Sequence, residues 1–305
     1  MNFKEELAAR TAQVETVIKK YLPEEKGYQK TVVEAMNYSI LAGGKRLRPM
    51  LMQETFRLFG GLGEVVEPFM AALEMVHTYS LVHDDLPCMD NDEYRRGQKT
   101  THVVYGEGMA VLAGDGLLNY AFETAVKAFG TAGGTQDPVR VAKALGVFAK
   151  KAGIHGMIGG QTADIEAEDR EAKGVEQPVT EDALLFIHEH KTAALIQSAM
   201  MTGAILAGAD GDAVIQMENC AYNIGIAFQI QDDILDVTGS LEVLGKAAGS
   251  DAKNHKTTYV TLKGMEQAKQ DVERLSGEAV SILTSYSPRN EFLEELVRQL
   301  VGREK

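Results

Sequence analysis

Two groups of aspartates carry the chemistry that this chain is equipped to perform. Asp232, Asp233 and Asp236 follow the apolar run 224–230. On a helix, Asp232 with Asp236 and Asp233 with Asp236 share one face about a turn apart. Like charges at that spacing weaken a helix by a few tenths of a kcal/mol per pair, so the arrangement is unfavourable without a cation. Carboxylate oxygens suit Mg²⁺, which takes one or two carboxylates and completes its shell with water and phosphate oxygens. Asp84, Asp85 and Asp90 end another apolar run, 69–82, and Pro87 interrupts them. Asp84 and Asp85 are expected on the last helical turn, with Asp90 swung back towards them past the proline. Taken singly, either cluster reads equally well as a solvated acidic helix end. Two clusters of one design, each after an apolar helix, favour metal.

Cations stand close by in the sequence. Arg95 and Arg96 offer bidentate donors suited to diphosphate oxygens. Lys45, Arg46 and Arg48 form a second basic group beside Gly43 and Gly44, where backbone can approach a phosphate closely. Two aspartate triads carry six negative charges and a bound diphosphate adds about three more. About three Mg²⁺ would offset most of that, with Lys191 or Lys246 contributing the rest. Such a site pulls on a diphosphate leaving group and stabilises the charge that appears as its C–O bond breaks. The chemistry implied is diphosphate ionisation.

The rest of the chain bounds this reading. At 305 residues with no charged, Ser-rich or Pro-rich linker, one large domain spanning 1–305 is expected. The net charge of −13 argues against a nucleic-acid partner, which requires a basic face to replace phosphate counterions. Cys88 and Cys220 are too few for a disulfide framework and fit a reducing cytosol. The charged N-terminus has no apolar signal core, and no run of about 18 apolar residues occurs. A soluble, cytoplasmic protein without stable membrane insertion is expected.

Periodicity supplies the elements that must position these groups. Helices are expected over 3–21, 31–41, 50–58, 69–82, 106–129, 138–158, 180–206, 212–237, 265–286 and 290–300. The segment 69–82 is apolar on most sides, as a buried central helix is. Gly60 to Pro68, Gly133-Gly134, Glu166 to Pro178, Gly208 to Gly211 and Ser285 to Asn290 read as connections. No strand alternation of useful length appears, so the fold class is all-α, a bundle of packed helices. The many Ala, Gly and Met residues suit close helix packing.

These motifs resemble the trans-isoprenyl diphosphate synthase family, in its bacterial short-chain type related to farnesyl and geranylgeranyl diphosphate synthases. The likeness runs from about Gly43 to Tyr259. It rests on GGKRLRP at 43–49, HDDLPCMD at 83–90, RRG at 95–97, AGD at 113–115, GGQ at 159–161 and KT at 191–192. FQIQDDILD at 228–236, GK at 245–246 and KTTY at 256–259 complete it. The resemblance implies antiparallel helices around a central cavity, the isoprenoid synthase fold, and a homodimer. It implies that Asp84, Asp85, Asp90, Asp232, Asp233 and Asp236 hold about three Mg²⁺ on an allylic diphosphate. Arg95, Lys191, Thr192, Gln229 and Lys246 would contact that diphosphate, with Lys256 nearby, and Lys45, Arg48, His77 and Arg96 would hold isopentenyl diphosphate. The implied reaction is ionisation, attack by the isopentenyl double bond, and proton loss. Glu93 in place of a second Asp after Asp92, Gln98 to His102, and Ala247-Ala248 after Lys246 depart from the family pattern without removing a triad carboxylate.

Tyr79 and Ser80 precede Asp84 by about one helical turn, and one turn, about 5.4 Å, is close to the length of an isoprene unit. By resemblance to the family members that make farnesyl diphosphate, Tyr79 is expected to block the cavity after a C15 product; small residues there would admit C20. A geranylgeranyl diphosphate synthase is the nearest rival. A terpene cyclase would carry an Asn/Ser/Glu second metal motif and an aromatic-rich pocket, and this chain has no Trp. A non-catalytic helical subunit would be expected to lose some of these charged groups, and a di-iron bundle needs two ExxH motifs where only Glu74 to His77 is present.

Overall fold

The computed structural model describes residues 2–131, 137–172, 179–238 and 257–302, the side chains of 170–172 excepted. Helices dominate it, and glycine or proline sets several of the departures from the expected boundaries. Helix α1 spans Phe3–Lys20, α2 Lys30–Leu41, α3 Leu47–Leu58 and α4 Glu67–Asp84. Helices α3 and α4 begin earlier than expected because Pro49 and Pro68 both fall in a first turn, where a missing N–H costs nothing. Helix α5, Thr101–Tyr105, and α6, Glu107–Val126, are divided by Gly106 at φ 85°. Helix α7 spans Pro138–Ala152, capped by the Asp137 carboxylate accepting from the Val139 N–H.

The expected helix over 138–158 is corrected here. It stops at Ala152, and α8 starts at Met157 and continues to Ala172, into the stretch read as a polar loop. Gly153 and Gly156 make the break. The expected helix 180–206 is three joined pieces: α9 (Glu181–Ile187), a π-helical segment (His188–Ala193) and α10 (Ala194–Ala207). Helix α11 spans Gly211–Thr238, α12 Tyr259–Lys263, α13 Met265–Thr284 and α14 Glu291–Val301. At five residues, α12 is too short to show a helical period in the sequence.

Helix α4 lies at the centre, packed against α6, α3, α1, α2 and α10. Its faces bury Phe69, Met70, Leu73, Met75, Val76, Tyr79 and Val82. Each such side chain contributes about 1.5–3 kcal/mol when fully removed from water. Two glycines permit close helix approach. A Cβ on Gly203 of α10 would sit 2.4 Å from the Met52 carbonyl oxygen of α3, and one on Gly225 of α11 would sit 2.2 Å from the Ala193 Cβ. Phe69, Phe122 and Phe148 pack edge to face, fixing the end of α4 remote from Asp84.

Candidate active site

A cavity of about 850 Å³ opens among α4, α8, the π-helical segment and α11. Helix α4 presents His77, Ser80, Leu81 and Asp84 to it from one face, at the i, i+3, i+4, i+7 spacing, and Tyr79 and His83 from the other side of the helix. Helix α11 presents Phe228, Gln229 and Asp232 in the same manner. The two aspartate clusters, distant in sequence, therefore share one space through Asp84 and Asp232. Apolar wall comes from Leu81, Val111, Met157, Ile158, Ile165 and Leu195. A volume lined by both charged and aliphatic groups suits a ligand with a charged head and a hydrocarbon tail.

Asp84 and Asp85 close the last turn of α4, and Asp90 returns so that its N–H donates to the Asp84 carbonyl oxygen at 2.8 Å. Burial first, then the neighbouring Asp90 and Asp85, push the Asp84 carboxyl up to about 6, opposed by Lys191 and Arg95. Burial likewise raises Asp85 and Asp90. A negative charge held at such a cost is what a bound cation relieves. Gln161 Nε2 donates to Asp84 Oδ1 at 3.0 Å, and Gln229 Nε2 to Asp232 Oδ2 at 3.4 Å. Asp233 accepts from the Tyr259 backbone N–H at 2.7 Å, which ties α11 to the start of α12.

Among the described residues no three acidic or imidazole groups converge on one point. The donor set still fits Mg²⁺, because that ion uses only one or two carboxylates per site and leaves positions for water and phosphate oxygens.

A small hairpin turns the arginine pair back onto the site. Tyr94 and Arg95 pair with Lys99 and Gln98, and the turn residues Arg96 and Gly97 both have positive φ, 53° and 77°. That is the requirement of the tight turns that join two strands. Arg95 Nε then reaches Asp85 at 2.6 Å and its guanidinium also contacts Asp92 at 3.4 Å, so in this state Arg95 is paired with carboxylates of its own loop. Arg96 donates to the Gly43 carbonyl oxygen. Arg48 lies 3.4 Å from His77 Nε2, and burial, then the nearby guanidinium charges of Arg48 and Arg96, hold that imidazole neutral, well below its ordinary range. Tyr79 is buried on the cavity lining with its ring edge-on to His83 at 5.8 Å, and Ser80 Oγ donates to the His77 carbonyl oxygen.

One expectation is overturned. Arg46, grouped in the sequence with Lys45 and Arg48 as a phosphate-facing cation, is turned inward and is 2% exposed. It is spent on Glu15, Glu74 and the Ile40 carbonyl oxygen. Glu74, the acidic member of the ExxH pattern, is its buried partner. Lys45, which is exposed, stands outside the cavity lining, as do Asp85, Asp90, Asp233, Asp236 and Arg96. Lys246 and Lys256 lie outside the described residues.

Two features of the site went unread. Asp164 of α8 takes the Lys191 ammonium, and Lys191 and Thr192 sit on the π-helical segment, a form common at functional sites. The Gly159-Gly160 pair was the available signal. A Cβ on Gly160 would lie 2.0 Å from the Lys191 backbone nitrogen. Backbone cannot yield as a side chain can, so Gly160→Ala is expected to cost about 1–3 kcal/mol. It should lower the melting temperature and turnover together, as read by circular dichroism and a rate assay; an unchanged melting temperature would contradict the close approach.

Residues 29–287 match the polyprenyl synthetase family. The chain is 41% identical to a dimethylallyltranstransferase from Fischerella ambigua, over 99% of this chain and 84% of that one. It is 48% identical to a chloroplastic geranylgeranyl pyrophosphate synthase from Capsicum annuum, over 84% and 67%. It is 43% identical to a farnesyl diphosphate synthase from Geobacillus stearothermophilus, over 84% and 83%. The structure of a geranyltransferase from Helicobacter pylori complexed with magnesium and isoprenyl diphosphate superposes with a TM-score of 0.80 at 30% identity, covering 99% of this chain and 97% of that one. The chain belongs to the polyprenyl synthetase family of prenyltransferases.

Proposed function

We propose that this prenyltransferase condenses isopentenyl diphosphate with dimethylallyl or geranyl diphosphate and releases mainly farnesyl diphosphate. One observation supports the reading: Asp84 and Asp232 line a single cavity that also carries basic and aliphatic side chains, with Tyr79 on its lining. Asp84, Asp85, Asp90, Asp232, Asp233 and Asp236 would hold Mg²⁺, about three ions by the charge balance above. Bound there, Mg²⁺ supplies neutralisation of the charge that grows on a leaving diphosphate.

The protein's own groups do the rest. Lys191, Thr192 and Gln229, with Arg95 once released from Asp85, orient the allylic diphosphate; Lys246 and Lys256 complete that set. Lys45, Arg48 and Arg96 bind isopentenyl diphosphate, and the neutral His77 donates a hydrogen bond without adding charge. The allylic C–O bond breaks, the isopentenyl double bond attacks the resulting cation, and the surplus proton passes to the departing diphosphate. Leu81, Ile158, Leu195 and Phe228 keep water from the cation.

We read residues 1–305 as one such catalytic unit, cytoplasmic and dimeric. No described helix is long and apolar enough to cross a membrane. Val103, Val104, Leu112 and Val126 on α5 and α6 are exposed, apolar surface that a second copy would cover. A geranylgeranyl product is the second reading, favoured by the similarity to the Capsicum annuum protein. Incubation with isopentenyl and geranyl diphosphates and Mg²⁺ separates the two by product length. A C15 product that disappears with EDTA and returns with Mg²⁺ is expected. A C20 product supports the second reading, and no condensation at all overturns both.

A further inference from the structure

We propose that Arg46, held by Glu15 and Glu74, is a positioning residue that sets Lys45 and Arg48 for isopentenyl diphosphate. The proposal rests on the reading of Lys45 and Arg48 as that substrate's cations. Arg46 has a left-handed backbone, φ 50° and ψ 34°, a conformation costly for a residue with a side chain. That strain is retained where three strong interactions over-determine it. Nε donates to Glu15 of α1 at 2.6 Å, one terminal nitrogen to Glu74 of α4 at 2.6 Å, and the other to the Ile40 carbonyl oxygen near the end of α2 at 2.6 Å. The five-donor fork of a guanidinium can serve three elements at once, which the point charge of a lysine cannot.

The consequence falls on the neighbours. With Arg46 pinned inward, Lys45 emerges exposed on one side, and Arg48, in the first turn of α3, enters the cavity beside His77. The same stretch is clamped from its other side. Arg96 donates to the Gly43 carbonyl oxygen and lies over Gly44, where a Cβ would sit 2.6 Å from a guanidinium nitrogen. Both glycines have positive φ, 92° and 141°. Gly43 to Arg48 is thus held between an inward arginine and an overlying one, with Lys45 and Arg48 projecting from the held backbone.

A buried ion triad is a weak source of net stability, because desolvation of its charges offsets their attraction. What it does uniquely here is define direction. Glu15 is the partner of choice for a test, since it is only partly buried and its loss leaves Arg46 paired with Glu74.

The measurements are KM for isopentenyl diphosphate, KM for the allylic substrate, kcat and melting temperature for Glu15→Gln, Arg46→Lys and Arg46→Met. Glu15→Gln and Arg46→Lys should each raise the isopentenyl diphosphate KM about tenfold, while the allylic KM and kcat stay within about twofold. An unchanged isopentenyl diphosphate KM in folded Glu15→Gln and Arg46→Lys overturns the proposal. So does a loss in which both KM values and kcat move in step with melting temperature, the mark of a purely structural role. If Arg46→Met does not fold, Glu15→Gln still decides. Lys45→Ala and Arg48→Ala test the underlying reading separately: an unchanged isopentenyl diphosphate KM in both removes the cations' role and the positioning claim with it.

Discussion

Asp84→Asn and Asp232→Asn should each lower turnover on the order of 10³-fold, equivalent to about 4 kcal/mol of lost transition-state stabilisation. Neither should lower the melting temperature of the metal-free protein. In that state the Asp84 carboxylate is a cost, since burial and its acidic neighbours push it up to about 6, and an amide of the same shape removes that cost. Loss of activity without loss of stability separates a cation-holding carboxylate from a structural one. The double variant should lose little more than either single variant, because groups that act as a unit are not additive. Retained turnover in either variant, or a melting temperature that falls with it, would contradict the assignment. Steady-state rates and metal-free thermal unfolding supply both readings.

Tyr79→Ala should lengthen the product, from C15 to C20 and beyond. Tyr79 is 6% exposed and lies on the cavity lining about one turn before Asp84, and in the proposed function a growing chain meets its ring there. Burial pushes its hydroxyl up to about 12, so it meets that chain as a neutral phenol. Truncation removes the ring and leaves a void, at a stability cost of about 3–5 kcal/mol by comparison with other buried aromatics. Tyr79→Phe keeps the obstruction and should keep C15. Chromatography of the dephosphorylated products reads the outcome, and unchanged C15 output from folded Tyr79→Ala would remove the ring from the account.

Much of this site was legible in the sequence because its chemistry depends on residue type and helical spacing. Asp232 with Gln229, and Asp84 with His77 and Ser80, fall on one face of a helix whichever neighbours it packs against. The long apolar runs declared α4 and α10 for the same reason. What escaped was set by contacts between distant segments. Arg46 reads as one of three similar cations, and only the positions of Glu15 and Glu74 in space turn it inward. The break at Gly153 to Gly156 was hidden because a helix-like apolar pattern runs on through it. The π-helical turn at Lys191 leaves apolar periodicity almost intact, so Asp164 had no reason to be noticed. Arg96-Gly97 was noticed for its charge, whereas its two positive φ angles do the folding work of returning Arg95 to Asp85.

If the two aspartate clusters act on one bound diphosphate, binding reports it without any need for turnover. Titration calorimetry with an unreactive thio-analogue of geranyl diphosphate should show tight binding to the wild-type chain in Mg²⁺ and little in EDTA. Asp84→Asn and Asp232→Asn should each weaken it at least about tenfold, or about 1.4 kcal/mol. Binding that survives EDTA, or that responds to Asp84→Asn alone while ignoring Asp232→Asn, would contradict a site shared across the cavity.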